Sequence, residues 1–137
     1  MPFVLDASIA ACWAFEDEGH PAAAAALERL RNDEARVPAL WWFEVRNTLI
    51  VNERRGRLRE ADTAAFLRWL ARLGVTLDCS VEEAGVLALA RRHRLSVYDA
   101  SYLELAQRVA LPLATLDAEL ARAARAEGVS ILDGDDS

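Results

Sequence analysis

Five short apolar runs alternate along the chain with stretches of helical spacing, and this alternation narrows the choice of fold more than any other feature. Phe3-Val4-Leu5-Asp6, Val37-Pro38-Ala39, Val75-Thr76-Leu77-Asp78, Pro112-Leu113-Ala114-Thr115 and Val129-Ser130-Ile131-Leu132 read as strands. Most are continuously apolar, as strands of a parallel sheet covered by helices on both faces must be. Between them the spacing predicts helices over 7–15, 21–31, 42–55, 60–73, a segment through Ala84, Leu87, Leu89 and Ala90, 99–109 and 117–127. Pro21 sits in a first turn that tolerates it, and Gly56, Gly74 and Gly128 supply stops. Ser80 and Glu83 have the spacing of a capping box for the helix through Ala84. The expectation is an α/β fold with a central, mainly parallel five-stranded sheet flanked by helices. A chain of 137 residues is the length of one domain, placed at 1–132, with 133–137 as a short acidic tail.

Composition removes several chemistries. All sixteen cationic side chains are arginine, so neither a P-loop lysine nor a lysine Schiff base is available. The glycines are too widely spaced to write G-x-G-x-x-G, which excludes dinucleotide binding of the Rossmann type. Cys12, Cys79, His20 and His93 show no zinc-ligand spacing, and the two cysteines are expected to be reduced core residues. No apolar run approaches the roughly 18 residues of a membrane span. The first residues lack a basic leader, so a cytoplasmic protein is expected. A net charge of −6 argues against a uniformly basic nucleic-acid surface but leaves a local one open.

The placement of the acids then becomes decisive. Asp6 closes the first strand, Asp117 lies just beyond the fourth, Glu44 is near the start of the helix after the second, and Asp99 opens another helix. In an open parallel sheet the carboxyl ends of the strands form the ligand crevice, so these four can meet. Gathered carboxylates repel one another, and a hard divalent cation relieves that repulsion while supplying phosphodiester chemistry. A simpler alternative stands beside this one: each aspartate also occupies a place suited to a helix N-cap, a role worth about 1 kcal/mol. Glu44 lies within the apolar stretch Trp41-Trp42-Phe43-Glu44-Val45, with Asn47 and Thr48 on its helical face. A solvated helix face is the alternative there.

Four segments in order, Val4-Leu5-Asp6-Ala7-Ser8, Val37-Pro38 through Glu44-Val45-Arg46-Asn47, Val97-Tyr98-Asp99-Ala100-Ser101-Tyr102-Leu103 and Leu113-Ala114-Thr115-Leu116-Asp117, resemble PIN-domain ribonucleases of the VapC type, the toxins of prokaryotic type II toxin-antitoxin pairs. The resemblance runs nearly end to end. It implies a PIN-like fold and a Mg²⁺-dependent endoribonuclease, with Mn²⁺ able to substitute, leaving 5′-phosphate and 3′-hydroxyl ends. It implies that Asp6, Glu44, Asp99 and Asp117 are the catalytic, metal-holding acids, with Ser8, Asn47 and Thr115 as supporting polar groups. Ser101 stands where some PIN domains carry a further acid, which leaves a second metal open. The implied partners are RNA, a cognate VapB-type antitoxin and a second copy of the chain in a homodimer.

Other features have more than one use. Arg54, Arg55, Arg57 and Arg59 surround Gly56, and Arg91, Arg92, His93 and Arg94 end a helix; either group suits RNA phosphates, and solvated surface or helix-dipole placement suits them too. Trp13, Trp41, Trp42 and Trp69 divide between core packing and base stacking or a partner groove. Trp41 and Trp42 beside the acids predict an apolar groove next to negative charge, suited to an amphipathic segment carrying arginine; the resemblance implies that this segment is the antitoxin's and that its arginine reaches Glu44 and Asp99. Two rival functions remain. A receiver or haloacid-dehalogenase-like phosphoryl-transfer domain also places Asp after its first strand, but both use a lysine, and the second needs D-x-D where this chain has Asp6-Ala7-Ser8. A catalytically silent PIN-like binding module would keep the fold without the metal.

Overall fold

The computed structural model describes residues 1–132; the acidic tail expected at 133–137 lies outside the described residues. Strands β1 (Phe3–Leu5), β2 (Ala35–Pro38), β3 (Val75–Asp78) and β4 (Leu113–Ala114) form one parallel sheet in the order β3-β2-β1-β4. Phe3 pairs with Ala35, Val4 with Leu113, and Ala35 with Val75. The chain therefore builds β1, β2 and β3 in one direction and returns to place β4 on the other side of β1. That reversal opens a crevice at the carboxyl ends of β1 and β4.

The helices are α1 (Ala7–Cys12), α2 (Pro21–Arg29), α3 (Leu40–Arg54), α4 (Glu60–Leu70), α5 (Glu83–His93), α6 (Val97–Val109) and α7 (Ala118–Ala126), with a 3-10 turn over Glu16–Glu18. Phe3, Val4 and Leu5 are fully buried, as a strand covered on both faces requires. Residues Ala100 to Ala106 of α6 are all buried, so this helix is enclosed nearly all round and carries Asp99 at its start to the sheet edge. Trp41, Val45 and Leu49 bury the inner stripe of α3, which turns Glu44 toward the same edge.

Three local expectations need correction. The fifth strand shrinks to a single parallel bridge between Leu113 and Ile131, with hydrogen bonds from Leu113 N–H to Ser130 O and from Leu132 N–H to Leu113 O. β4 is itself too short to template more. The Ser80–Glu83 capping box does not form, because Asp78 accepts from Ser80 N–H at 2.8 Å and α5 begins only at Glu83, with Glu82 before it making no side-chain cap. Cys79 is exposed rather than in the core, Cys12 is partly buried, and both are free thiols. Among the described residues no helix is long and apolar enough to cross a membrane.

Candidate active site

Asp6 follows β1 directly and is 6% exposed. Its side chain does not cap α1. Instead its Oδ2 accepts from Thr115 Oγ1 at 2.6 Å and from Ser8 Oγ at 2.8 Å. Both hydroxyls are fixed from the other strand of the crevice: Asp117 N–H donates to Thr115 Oγ1 and Leu116 N–H donates to Ser8 Oγ. Two hydroxyls thus staple the end of β1 to the loop after β4. Burial nonetheless pushes the Asp6 carboxyl above its usual range; the hydroxyl bonds oppose this and the Asp117 charge adds to it.

Asp117 does cap a helix, with Oδ1 accepting from Glu119 N–H at 2.9 Å and Leu120 N–H at 3.2 Å. Asp99 does not. Ser96 caps α6, its Oγ accepting from Asp99 N–H, so the helix starts two residues earlier than the sequence implied and Asp99 lies within its first turn. The Asp99 carboxyl is pushed up by burial first, then by the charges of Asp117 and Asp6. Glu44 projects from α3, and its Oε1 accepts from Tyr102 O–H at 2.6 Å. Burial raises its carboxyl, the Tyr102 hydrogen bond lowers it, and Asp6 and Asp99 raise it further. The four acids therefore lie within electrostatic reach of one another at the switch between β1 and β4. None of them belongs to any ion pair among the described residues.

Among the described residues no three of these side chains stand as a closed metal shell. The fit to a hard divalent cation rests on the donor set: oxygens only, no ion-pairing cation among the described residues, and carboxyls that raise one another. Thr115 and Ser8 both donate to Asp6. Asn47 is exposed on α3 and makes no hydrogen bond to the acids. Ser101 donates to Tyr98 O within its own helix. Two participants were missed from the sequence, the cap Ser96 and the buried Tyr102. Tyr102 had a signal: it lies three residues after Asp99, on the same helical face. Its hydroxyl is pushed up by burial and by Asp6 and Glu44, so it stays a proton donor to Glu44.

The aromatic residues divide between core and surface. Trp41 is buried in the core, whereas Trp42 and Phe43 are exposed and in edge contact, with Arg46 over the Trp42 ring at 4.1 Å. Val97 and Tyr98 are also exposed at the start of α6. Trp13 packs edge-on against Trp69 and donates from its indole to Ala23 O. The arginine clusters divide as well. Arg57 and Arg59 pair with acids, and Arg92 pairs with Glu127; Arg54, Arg55, Arg91 and Arg94 join no ion pair among the described residues. A cleft of about 640 Å³ lies at the opposite edge of the sheet, bounded by Met1, Pro112 and Glu127, and contains none of the four acids.

A sequence profile of the PIN domain family matches residues 3–126. Ribonuclease VapC3 of Pyrobaculum aerophilum is 36% identical over 125 residues, covering 88% of this chain and 93% of that protein. The crystal structure of PAE2754 from Pyrobaculum aerophilum superposes with a TM-score of 0.71 at 24% identity, covering 96% of this chain and 90% of that one, a likeness of fold. With a parallel sheet of this order, acids at its switch point and a match across nearly all its length, the chain belongs to the PIN domain family, among its VapC-type members.

Proposed function

We propose that this protein is a divalent-metal-dependent endoribonuclease and the toxin of a toxin-antitoxin pair. The observation that supports this most is the convergence of Asp6, Glu44, Asp99 and Asp117 on one sheet edge, with no ion-pairing cation among the described residues, in a chain similar to a ribonuclease. In this reading the four carboxylates hold Mg²⁺, or Mn²⁺ in its place. The bound ion would supply Lewis acidity at the scissile phosphate and activation of the attacking water.

The chain's own contribution is positioning. Ser8 and Thr115 fix the Asp6 carboxylate through Oδ2. The α7 cap holds Asp117 through Oδ1. Tyr102 fixes Glu44 through Oε1, and Glu44, raised by burial and by its acidic neighbours, is suited to taking a proton on Oε2. Asn47, exposed one turn beyond Glu44, is offered to the substrate.

The partners follow from the same site. A small VapB-type antitoxin would seat apolar side chains on Trp42 and Phe43 and carry an arginine to Glu44 and Asp99, competing with metal and RNA. The toxin itself is proposed to be a homodimer that acts in the cytoplasm. The test is to express the chain alone, sequence the ends of total RNA, and repeat with the neighbouring small reading frame co-expressed. The reading requires new 5′-phosphate ends and arrested growth in the first case and relief in the second. Harmless expression with no new ends would overturn it, whereas new ends with no neutralising neighbour would leave the nuclease and remove the toxin.

A further inference from the structure

We propose that RNA leaving the acidic site runs along a cleft between α1 and α3 and that Arg55 receives one of its backbone phosphates there. The inference rests on the ribonuclease reading and specifies where that substrate is held outside the scissile bond. The cleft encloses about 450 Å³, within the range of small-ligand pockets, and is lined by Ser8, His20, Thr48, Asn52, Arg55 and Arg57 among others.

Continuity with the site is the first argument. Ser8 lines the cleft and also donates to Asp6 at 2.8 Å. Glu44 and Thr48 fall on one face of α3, at i and i+4, and Arg55, the residue that caps its C-terminus, continues that line at i+11; eleven residues of helix span about 16 Å. Arg55 is thus in line with Glu44 but too far away to serve the scissile phosphate. Trp42, Arg46 and Ile50 fall on the opposite face of the same helix.

Charge is the second argument. Arg57 is already committed: it donates to Asn52 Oδ1 at 3.0 Å, pairs with Asp17 at 3.4 Å and Glu18 at 3.7 Å, and lies over the Phe15 ring at 4.4 Å. It offsets the one acid of the cleft wall, Glu18. Asn52, 6% exposed, anchors that arrangement by donating in turn to Thr48 O. The exposed Arg55 guanidinium has neither ion pair nor hydrogen bond among the described residues. His20 accepts Ala22 N–H on Nδ1, so its neutral ring carries hydrogen on Nε2, a donor for an anionic or carbonyl ligand. A cleft that begins at Ser8, beside the acids, and carries a free arginine at its other end suits a polyanion whose reacting phosphate enters the acids. An arginine-bearing peptide would meet repulsion at Arg55.

The test is fluorescence anisotropy with a labelled single-stranded RNA long enough to span the cleft, in Ca²⁺ and over a series of salt concentrations. Arg55→Ala is expected to weaken binding roughly threefold to tenfold and to reduce the salt slope by about one. Arg54→Ala, its exposed neighbour outside the cleft, is expected to stay within about twofold of wild type. Wild-type affinity and slope in Arg55→Ala, or equal losses in both variants, would overturn the proposal. So would a Thr48→Trp block that leaves RNA binding intact while abolishing antitoxin binding, since the cleft would then be a protein site. If the wild type neither binds nor cuts RNA, the ribonuclease reading itself fails; if it does both and Arg55→Ala matches it, only the cleft assignment fails.

Discussion

Asp117 uses Oδ1 to cap α7 and its carboxyl also stands against that of Asp99, so the capping and metal-site alternatives raised by the sequence are both open to this one side chain. They separate by substitution. Asp117→Asn keeps the cap, because Asn caps about as well as Asp, and is expected to retain the melting temperature while losing RNA cleavage; Asp117→Ala should also lose about 1 kcal/mol. Thermal melts beside a cleavage assay check this, and full activity in Asp117→Asn would remove Asp117 from the metal site. The sequence made the four acids legible because each lies at or near a strand end or a helix start. It did not reveal which ones cap, since that depends on whether a neighbour such as Ser96 reaches the helix end first. Tyr102 was hidden for a related reason: a buried tyrosine reads as core until its hydroxyl has a partner on another helix. Asp6, Glu44 and Asp99 all have carboxyls raised on folding. The folded state then holds protons that the unfolded state has lost, so these groups favour folding below the ordinary carboxylate range, and that contribution disappears as pH rises through the raised folded values. Without metal, Glu44→Gln is expected to be more stable than wild type at neutral pH, a gain that vanishes in acid. Chemical denaturation at several pH values measures it.

At the scale of elements, helices with strong stops were readable and short strands were not. α3 ends where Gly56 adopts a φ of 76°, and α7 is followed by Gly128 at 79°, left-handed geometry that glycine adopts without strain. The strand expected over 129–132 had the right composition, but pairing needs a partner, and two-residue β4 offers only one bridge. The capping box before α5 failed because Asp78 took the Ser80 N–H first. The ends of α5, α6 and α7 are joined by Glu127, which accepts from Arg92 at 2.7 Å and Gln107 at 3.1 Å and contacts His93 Nε2 at 2.6 Å. His93 first, then Arg92, hold its carboxyl down from 4.5 to about 2. This contribution to stability is fully present above the unfolded value and is lost as pH falls toward the folded one. Glu127→Gln should therefore melt lower than wild type at neutral pH and lose less on acidification. Gly128→Ala meets nothing within 4 Å, so its cost is conformational alone, about 1 kcal/mol, with cleavage retained. A melting temperature unchanged by either substitution would contradict the respective account.

For the whole molecule, the strand order β3-β2-β1-β4 does the positioning. It sets Asp6 and Asp117 on adjacent strand ends across the switch, while α3 and the enclosed α6 deliver Glu44 and Asp99 from either side. Parallel order was legible from the alternation of runs, and the meeting of the acids followed from the general rule for open sheets. Which side of β1 receives β4 was not legible, because that depends on packing across the whole sheet. The assembled edge concentrates negative charge that a divalent ion would relieve, so Mg²⁺ at a hundredfold its Kd is expected to stabilise the fold by about 2 to 3 kcal/mol, and Glu44→Gln should blunt the effect. The most direct measurement of the central claim is cleavage of a single-stranded RNA by the purified protein, with Mg²⁺, with chelator, and with Asp99→Asn in Mg²⁺. The account predicts 5′-phosphate products in the first reaction alone, with Asp99→Asn folded as judged by circular dichroism. Cleavage that persists both in chelator and in Asp99→Asn would contradict it.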